Sequence, residues 1–212
     1  LSEYMHHCVT NRENVWIAQR EGRAKDGIDK TDPALLKMLA MGRRDLLLGE
    51  SLTSLNIVPV TISYEYDACD TLKAEELYQI ETQGNFTKTD QSDIHSIVTG
   101  MIGFKGHVHV AFGEQLKFDS DDPDELAEII DAQILENYML SDSNFIALEK
   151  LKKVGLAPLD LPGDVLEHRE ISKTNRKKFE KRIKAVDPSL HEHLLFGYAN
   201  PVINKLKSGF LV

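Results

Sequence analysis

The sequence is poor in cysteine and contains no long apolar run. Its two cysteines, Cys8 and Cys69, are too few for a disulfide framework and predict thiols in a reducing compartment. No window approaches the roughly 20 apolar residues that a membrane-spanning helix requires. We therefore expect a cytoplasmic protein that would contact a membrane only peripherally, at its inner face.

Positive charge is also scarce, because 25 Lys and Arg stand against 34 Asp and Glu and give a net charge of -9. General nucleic-acid binding usually requires a strongly basic domain, so the sequence predicts no nucleic-acid partner. No internal repeat is apparent, which argues against a solenoid. The 42% hydrophobic content is ordinary for a globular protein and is enough for a substantial core. Function is therefore to be sought in local basic clusters.

The most informative stretch is Asn14 to Lys30, where an apolar segment runs into a basic loop that contains glycine. Val15 to Ala18 are mostly β-branched or aromatic and predict a buried strand. Arg binds oxyanions in a bidentate fork and Gly lets the backbone approach closely, so the loop suits a phosphate ester. From these residues alone, a solvated surface loop is an equal alternative. The candidate site residues are Arg20, Glu21, Gly22, Arg23 and Lys25.

The order of the elements predicts an α/β fold. Asp32 and Pro33 are typical of a helix start, and a second helical piece, 44 to 52, leads to the strand-like run 56 to 66. Pro59 lacks a backbone N–H, so this strand should lie at an edge, contain a bulge or begin at that residue. A strand, a helical crossover and another strand predict a parallel pair. We therefore expect a mixed, largely parallel sheet flanked by helices, with a helical C-terminal extension.

Further elements follow along the chain. Helices are predicted over 72 to 80 and 94 to 101, and a third strand over 107 to 112, with 115 to 118 as a possible extension. Asp122 and Pro123 begin the clearest helix, which is expected to pack against the sheet. Another helix is predicted over 143 to 153, a linker over 156 to 163, and helices in the tail with breaks near Asp187-Pro188 and Asn200-Pro201. The expected division is an α/β domain over 1 to 140 and a helical extension over 141 to 212.

The chain contains two motifs in order, EGRAKDG at 21 to 27 and IVPVTISYEYD at 57 to 67. Together they resemble the glycerolipid acyltransferases, which acylate glycerol-3-phosphate and lysophosphatidate. EGRAKDG at 21 to 27 is similar to the third of the family's four sequence blocks, a strand ending in Glu-Gly before an Arg-containing loop. IVPVTISYEYD at 57 to 67 looks like the fourth, an apolar strand with Pro at its start. The resemblance covers residues 14 to 67 and extends at most to Leu140. It implies that 1 to 140 is the C-terminal part of an acyltransferase-like domain.

The chain departs from the family pattern at two points. Arg23 follows Gly22 directly, whereas the family places one small residue between them. The first block, a His and an Asp with four residues between them, does not precede Glu21, and the second block is also missing. The one His followed at that spacing by an acid is His109, which comes after the other blocks. We therefore expect a fragment whose catalytic His and Asp lie upstream of Leu1, with no catalytic residue in this chain.

The resemblance implies transfer of a fatty acyl group from an acyl thioester to a hydroxyl of glycerol-3-phosphate or a lysophospholipid. In the family, the His acts as general base on the hydroxyl, and no cofactor is needed because acyl-CoA or acyl carrier protein supplies the activated acyl group. Arg23, helped by Arg20 and Lys25, would then hold the acceptor phosphate, and Glu21 would orient a cation or the glycerol. The alternative is a noncatalytic module with the same fold that binds a phosphoryl ligand or a protein partner.

Histidines and a basic segment suggest two further sites. His107 and His109 share one side of a predicted strand, but no third ligand lies nearby in sequence, so we predict no metal. The run from Lys173 to Lys184 is rich in Lys and Arg, with Phe179 and Ile183 as apolar members. Such a helix either contacts anionic lipid or packs onto the domain and leaves a solvated basic face.

Overall fold

The computed structural model describes residues 1–22, 24–87, 89–158, 161 and 169–210. These residues are mainly helical, and a 3-10 turn over Pro188–Leu190 precedes the last helix. The elements in chain order are α1 Ser2–Thr10, α2 Pro33–Ala40, α3 Leu48–Ser54, β1 Val60–Tyr64, α4 Asp70–Gln83, α5 Asp90–Ile102, β2 Val108–Phe112, α6 Pro123–Asn137, α7 Asp142–Lys153, α8 Lys173–Lys184 and α9 His191–Lys207.

The predicted largely parallel sheet is wrong. Within the described part of the chain, β1 and β2 form one two-stranded antiparallel sheet. The Gly113 amide donates to the Pro59 carbonyl at 2.8 Å, and the Glu65 amide donates to the His107 carbonyl at 2.8 Å. Residue numbers rise along one strand as they fall along the other, which is the antiparallel arrangement. The described part of the chain is therefore mainly helical, with one β-ribbon.

The segment Val15 to Ala18 accounts for much of the difference between the predicted parallel sheet and the observed antiparallel ribbon. It is not in a strand, and the side chain of Trp16 is 69% exposed, so the expectation that Trp16 lies in the core is wrong. Apolar, β-branched residues favour an extended backbone, but a strand also requires a neighbour that accepts its hydrogen bonds. No described segment pairs with these residues. The parallel pair that they were expected to make with β1 is consequently not formed.

The chain divides into two compact units, each made of several segments. The first unit contains Leu1–Arg23, Asp29–Thr61 and Val110–Asn137, and the second contains Ala24–Ile28, Ile62–His109 and Tyr138–Val212. In the first unit, α1, α2, α3 and α6 enclose a core in which Leu36, Leu52 and Leu126 are almost fully buried. The predicted extension at 115 to 118 is not a strand, because Leu116 and Phe118 instead fill this core.

The core of the second unit lies among α4, α7, α8 and α9. Phe179 of α8 is fully buried, and its ring meets Tyr198 of α9 edge-on at a centroid distance of 4.8 Å. The Tyr198 hydroxyl donates to Asp70 Oδ2 at 2.7 Å, and Arg182 Nε donates to the same oxygen at 2.5 Å. Burial raises the pKa of Tyr198 well above its usual value. This neutral hydroxyl and the Asp70–Arg182 pair satisfy one another inside the unit.

Pro201 does not break the last helix, contrary to the sequence prediction, since α9 continues through it to Lys207. Proline removes one helical hydrogen bond and crowds the carbonyl four residues earlier, which here belongs to Gly197. Gly197 carries no side chain, and Asn200 beside the proline donates through Nδ2 to the Asp26 carbonyl at 2.7 Å. The contact of Asn200 with Asp26 and the packing around it therefore offset the backbone hydrogen bond that Pro201 removes from α9.

Several element predictions are confirmed. β1 begins at Val60, directly after Pro59, and β2 and α6 begin within one residue of their predicted starts. The helical tail is confirmed by α8 and α9, and the break near Pro188 coincides with the 3-10 turn. The predicted linker over 156 to 163 falls partly outside the described residues. None of the described helices is long and apolar enough to cross a bilayer.

Candidate functional site

The base of the predicted phosphate-binding loop is fixed on the first unit. The Asp32 amide donates to the Gln19 carbonyl at 2.9 Å, so the two ends of the loop are joined. Beside it, Thr31 donates to Asp131 Oδ1 through its amide at 2.8 Å and its hydroxyl at 2.6 Å. Burial raises the pKa of Asp131, and these two hydrogen bonds oppose that shift. The loop therefore starts and ends at a defined place.

The residues that follow Gln19 are open to solvent. Arg20, Glu21 and Gly22 are exposed, and neither Arg20 nor Glu21 forms an ion pair or a side-chain hydrogen bond with any described residue. Gly22 has φ +75°, and a Cβ placed there would meet nothing within 4 Å. Backbone conformation, not close packing, is thus the reason for glycine at this position. The Arg20 guanidinium is available to an anion.

Arg23, the residue to which the family resemblance assigns the phosphate, lies outside the described residues. Its role therefore stays a prediction.

Lys25 has a partner of its own in the second unit. Its ammonium forms an ion pair with Glu76 of α4, and the two side chains are 28% and 14% exposed. A cation that is already neutralised contributes less to anion binding, since the ligand must compete with the carboxylate. The loop sequence gave no sign of this pair, because Glu76 lies 51 residues further along the chain. Help from Lys25 in phosphate binding also stays a prediction.

Gly27 positions the tip of the loop, a role that sequence reasoning missed. It has φ +76°, and a Cβ there would overlap the Gly197 carbonyl oxygen and lie 3.0 Å from the carbonyl carbon. The Asp26 side chain accepts from the Ile28 amide at 3.0 Å, which closes the turn. Two glycines therefore allow the loop backbone to lie against α9. Gly197 lies far from the loop in the sequence, so the loop motif gave no sign of this contact.

The predicted histidine pair does not form a metal site in the described residues. His109 lies within β2, whereas His107 precedes the strand and its amide donates to Glu65 Oε2 at 2.9 Å. No group of three His, Cys, Asp or Glu side chains in the described ranges is arranged to hold a metal ion.

The apolar members of the basic run pack into the second unit, whereas contact of its basic face with anionic lipid stays a prediction. Phe179 and Ile183 are buried, Arg176 binds Glu149 at 2.7 Å, and Arg182 binds Asp70. Hydrogen bonds from Arg176 and Lys153 lower the pKa of Glu149. The lysines of α8 instead face solvent, and they are Lys173, Lys177, Lys178, Lys181 and Lys184.

No protein-family model, no curated protein and no solved structure matches this chain. The features of this chain that bear on function are consequently the motifs at 21 to 27 and 57 to 67 and the geometry of the loop.

Proposed function

We propose that this chain is the acceptor-binding part of an acyltransferase that moves a fatty acyl group from an acyl thioester to a hydroxyl of glycerol-3-phosphate or a lysophospholipid. The observation that carries the proposal is the exposed Arg20, which forms no ion pair with any described residue and lies two positions before Gly22, where a Cβ would meet nothing within 4 Å. A fixed loop base supports it, because an anchored site loses less entropy when a ligand binds.

In this proposal the Arg20 guanidinium donates two parallel hydrogen bonds to oxygens of the acceptor phosphate. Arg23 has the same role by resemblance, and Glu21 orients the glycerol hydroxyls. A hydrogen bond to a charged group contributes about 1.5–3 kcal/mol, and solvent exposure places Arg20 at the lower end of that range. Holding the phosphate fixes the position of the free hydroxyl relative to the base that activates it.

The chemical step requires a general base that this chain is not proposed to supply. A His–Asp pair that precedes these residues in the longer protein would take the proton of the acceptor hydroxyl. The acceptor oxygen then forms a bond to the thioester carbonyl carbon, the carbon–sulfur bond breaks, and the thiolate leaves and takes up a proton. Acyl-CoA or acyl carrier protein carries that thiol.

The exposed lysines of α8 support a peripheral contact with an anionic membrane, where a lysophospholipid acceptor would be found. The five lysines lie on a helix whose apolar residues are turned inward. Each basic residue near an anionic surface contributes about 1 kcal/mol of attraction. Because the chain as a whole is acidic, this attraction would be local and sensitive to salt.

The location of the acceptor site is tested by an NMR titration of the 212-residue chain with glycerol-3-phosphate. We expect shifts of the backbone amides near residues 19 to 23, and much smaller shifts with glycerol, which lacks the phosphate. Equal shifts with both compounds, or shifts confined to another region, would contradict the proposed site.

An acyl-transfer assay with acyl-CoA and glycerol-3-phosphate tests whether the general base lies outside these 212 residues. We expect no turnover by this chain and turnover by a longer protein in which a His-x4-Asp block precedes it. Turnover by the 212 residues alone would show that the base lies within them. If the longer protein has no such block and no activity, the noncatalytic alternative would replace the enzyme.

A further inference from the structure

The apolar residues of α5 face outward. We define the α5 apolar face as Ile94, Ile97, Val98, Met101 and Ile102, whose spacing of three and four residues places them on one side of the helix. Their exposed fractions are 62, 59, 44, 75 and 82%. No residue of this helix is buried. An apolar stripe of this kind normally faces a core. Because this one is exposed, it has no packing partner among the described residues.

A small, polar side of α5 packs against residues 68 and 69 of the same unit instead. The Ser96 carbonyl accepts from Cys69 Sγ at 3.5 Å, and a Cβ at Gly103 would lie 2.7 Å from the Cβ of Ala68. Ser92, Ser96 and Thr99 are half-buried on this side. The helix cannot turn its apolar face inward without losing these contacts. The exposed face is therefore a consequence of how α5 is anchored.

The size of the face matches an interface between two protein chains. The five exposed fractions together equal about three fully exposed large side chains, or roughly 600 Å² at about 200 Å² each. Two copies that cover each other completely at this face would bury at most roughly 1,200 Å² through it, which is the low end of the range for a stable, specific interface. An apolar patch of this size is at the upper end of what a typical monomer exposes, and such patches often mark an interaction site.

The charges around α5 favour a second copy over a lipid surface. A helix that lies on anionic lipid carries Lys and Arg along its polar side, whereas the first turn of α5 carries Asp90 and Asp93. Lys105 lies just beyond the other end and donates to the carbonyls of Met101 and Gly103 at 3.3 and 3.1 Å. An ammonium has three donors, so one remains for a carboxylate. The helix thus has an acidic start and a basic end.

We propose that two copies of this chain associate through antiparallel packing of their α5 apolar faces about a two-fold axis near Val98. In this arrangement Ile94 of one copy lies opposite Ile102 of the other. Lys105 lies opposite Gln91, between the two carboxylates of the acidic first turn. Both ends of the pair thereby match opposite charges, and the antiparallel helix dipoles also attract. The proposal does not depend on the acyltransferase function.

Sedimentation equilibrium at micromolar concentrations tests the association. We expect a concentration-dependent dimer of the native chain, and an Ile97→Glu variant whose dimer dissociation constant is at least about tenfold higher. Ile129→Glu is the matched control, because Ile129 is a 40% exposed isoleucine on another helix, and it should leave the constant unchanged. A native chain that stays monomeric, or two variants that weaken the dimer equally, would overturn the proposal.

The antiparallel register has its own tests. Lys105→Glu should weaken the dimer, and adding Asp93→Lys to that variant should restore it. Val98→Cys near the axis should form a disulfide-linked dimer on mild oxidation, whereas Ile129→Cys should not. Loss of dimer in Lys105→Glu that the double variant does not restore would contradict this register. So would the absence of the Val98→Cys cross-link.

Circular dichroism and the melting temperature verify that each variant remains folded. A lipid surface is tested with neutral phosphatidylcholine vesicles. If the native chain is a monomer that binds these vesicles, and Ile97→Glu abolishes that binding, a membrane is the occupant of the face and the dimer is wrong.

Discussion

Gly27→Ala should destabilise the second unit, because this glycine has both a positive φ and a close backbone neighbour. The new Cβ would overlap the Gly197 carbonyl oxygen and lie 3.2 Å from Pro201 Cδ. A left-handed backbone costs an alanine roughly 1–2 kcal/mol, and forced overlap in a packed region costs about 1–3 kcal/mol more. We therefore expect a loss of about 3 kcal/mol in the free energy of unfolding.

Gly84→Ala separates these two costs. Gly84 also belongs to the second unit and has φ +80°, but a Cβ there would meet nothing within 4 Å. Its alanine variant should therefore show only the backbone cost of roughly 1–2 kcal/mol. Urea denaturation followed by far-UV circular dichroism measures both variants on the same unfolding transition. Equal losses in Gly27→Ala and Gly84→Ala would refute the inferred contact between the loop tip and α9.

Two further predictions concern the carboxylates of Asp70, which is buried, and Asp131, which is half-buried. Asp70→Ala should cost about 3 kcal/mol in urea denaturation because it leaves Arg182 without its partner at low exposure, whereas Asp45→Ala, which breaks an exposed pair, should change stability little. For Asp131, the pKa is raised in the folded state, so its stabilising contribution is complete below the unfolded pKa of about 3.9 and is lost as pH rises through the folded value. Asp131→Asn keeps an acceptor for Thr31 and should therefore become more stable relative to the native chain as pH rises through the folded pKa of Asp131. A stability difference between the two proteins that does not change with pH would contradict the raised pKa.

Local sequence signals predicted the elements but not their assembly. Pro59 and Pro123 correctly mark the starts of β1 and α6, because a missing N–H and a fixed φ restrict where proline is tolerated. Val15 to Ala18 have strand-like side chains, yet they remain unpaired in the described structure, since pairing depends on a distant segment. Pro201 stays inside α9 for a similar reason, as tertiary packing outweighs its local effect.

In the candidate site, too, the residue types could be read from the local sequence but the long-range contacts could not. Arg20, Glu21 and Gly22 were identified from residue chemistry, and their exposure fits a binding loop and a solvated surface loop equally. The ion pair of Lys25 with Glu76 and the contact of Gly27 with Gly197 join residues far apart in the chain, which no motif in the loop encodes. The outward face of α5 was also hidden, because its helical spacing correctly predicts a helix but not the direction in which the stripe points.

The central claim is that the loop binds the phosphate of the acceptor through Arg20. Its most direct test is the dissociation constant of glycerol-3-phosphate, measured by isothermal titration calorimetry for the native chain, Arg20→Gln and Arg44→Gln. Arg44 is the control because it is another exposed arginine of the first unit without an ion pair among the described residues. We predict that Arg20→Gln raises the constant by about tenfold, because the glutamine amide can keep one of the two hydrogen bonds to the phosphate and roughly one charge-assisted bond is lost, while Arg44→Gln leaves it unchanged. Equal affinity in all three proteins would contradict the claim.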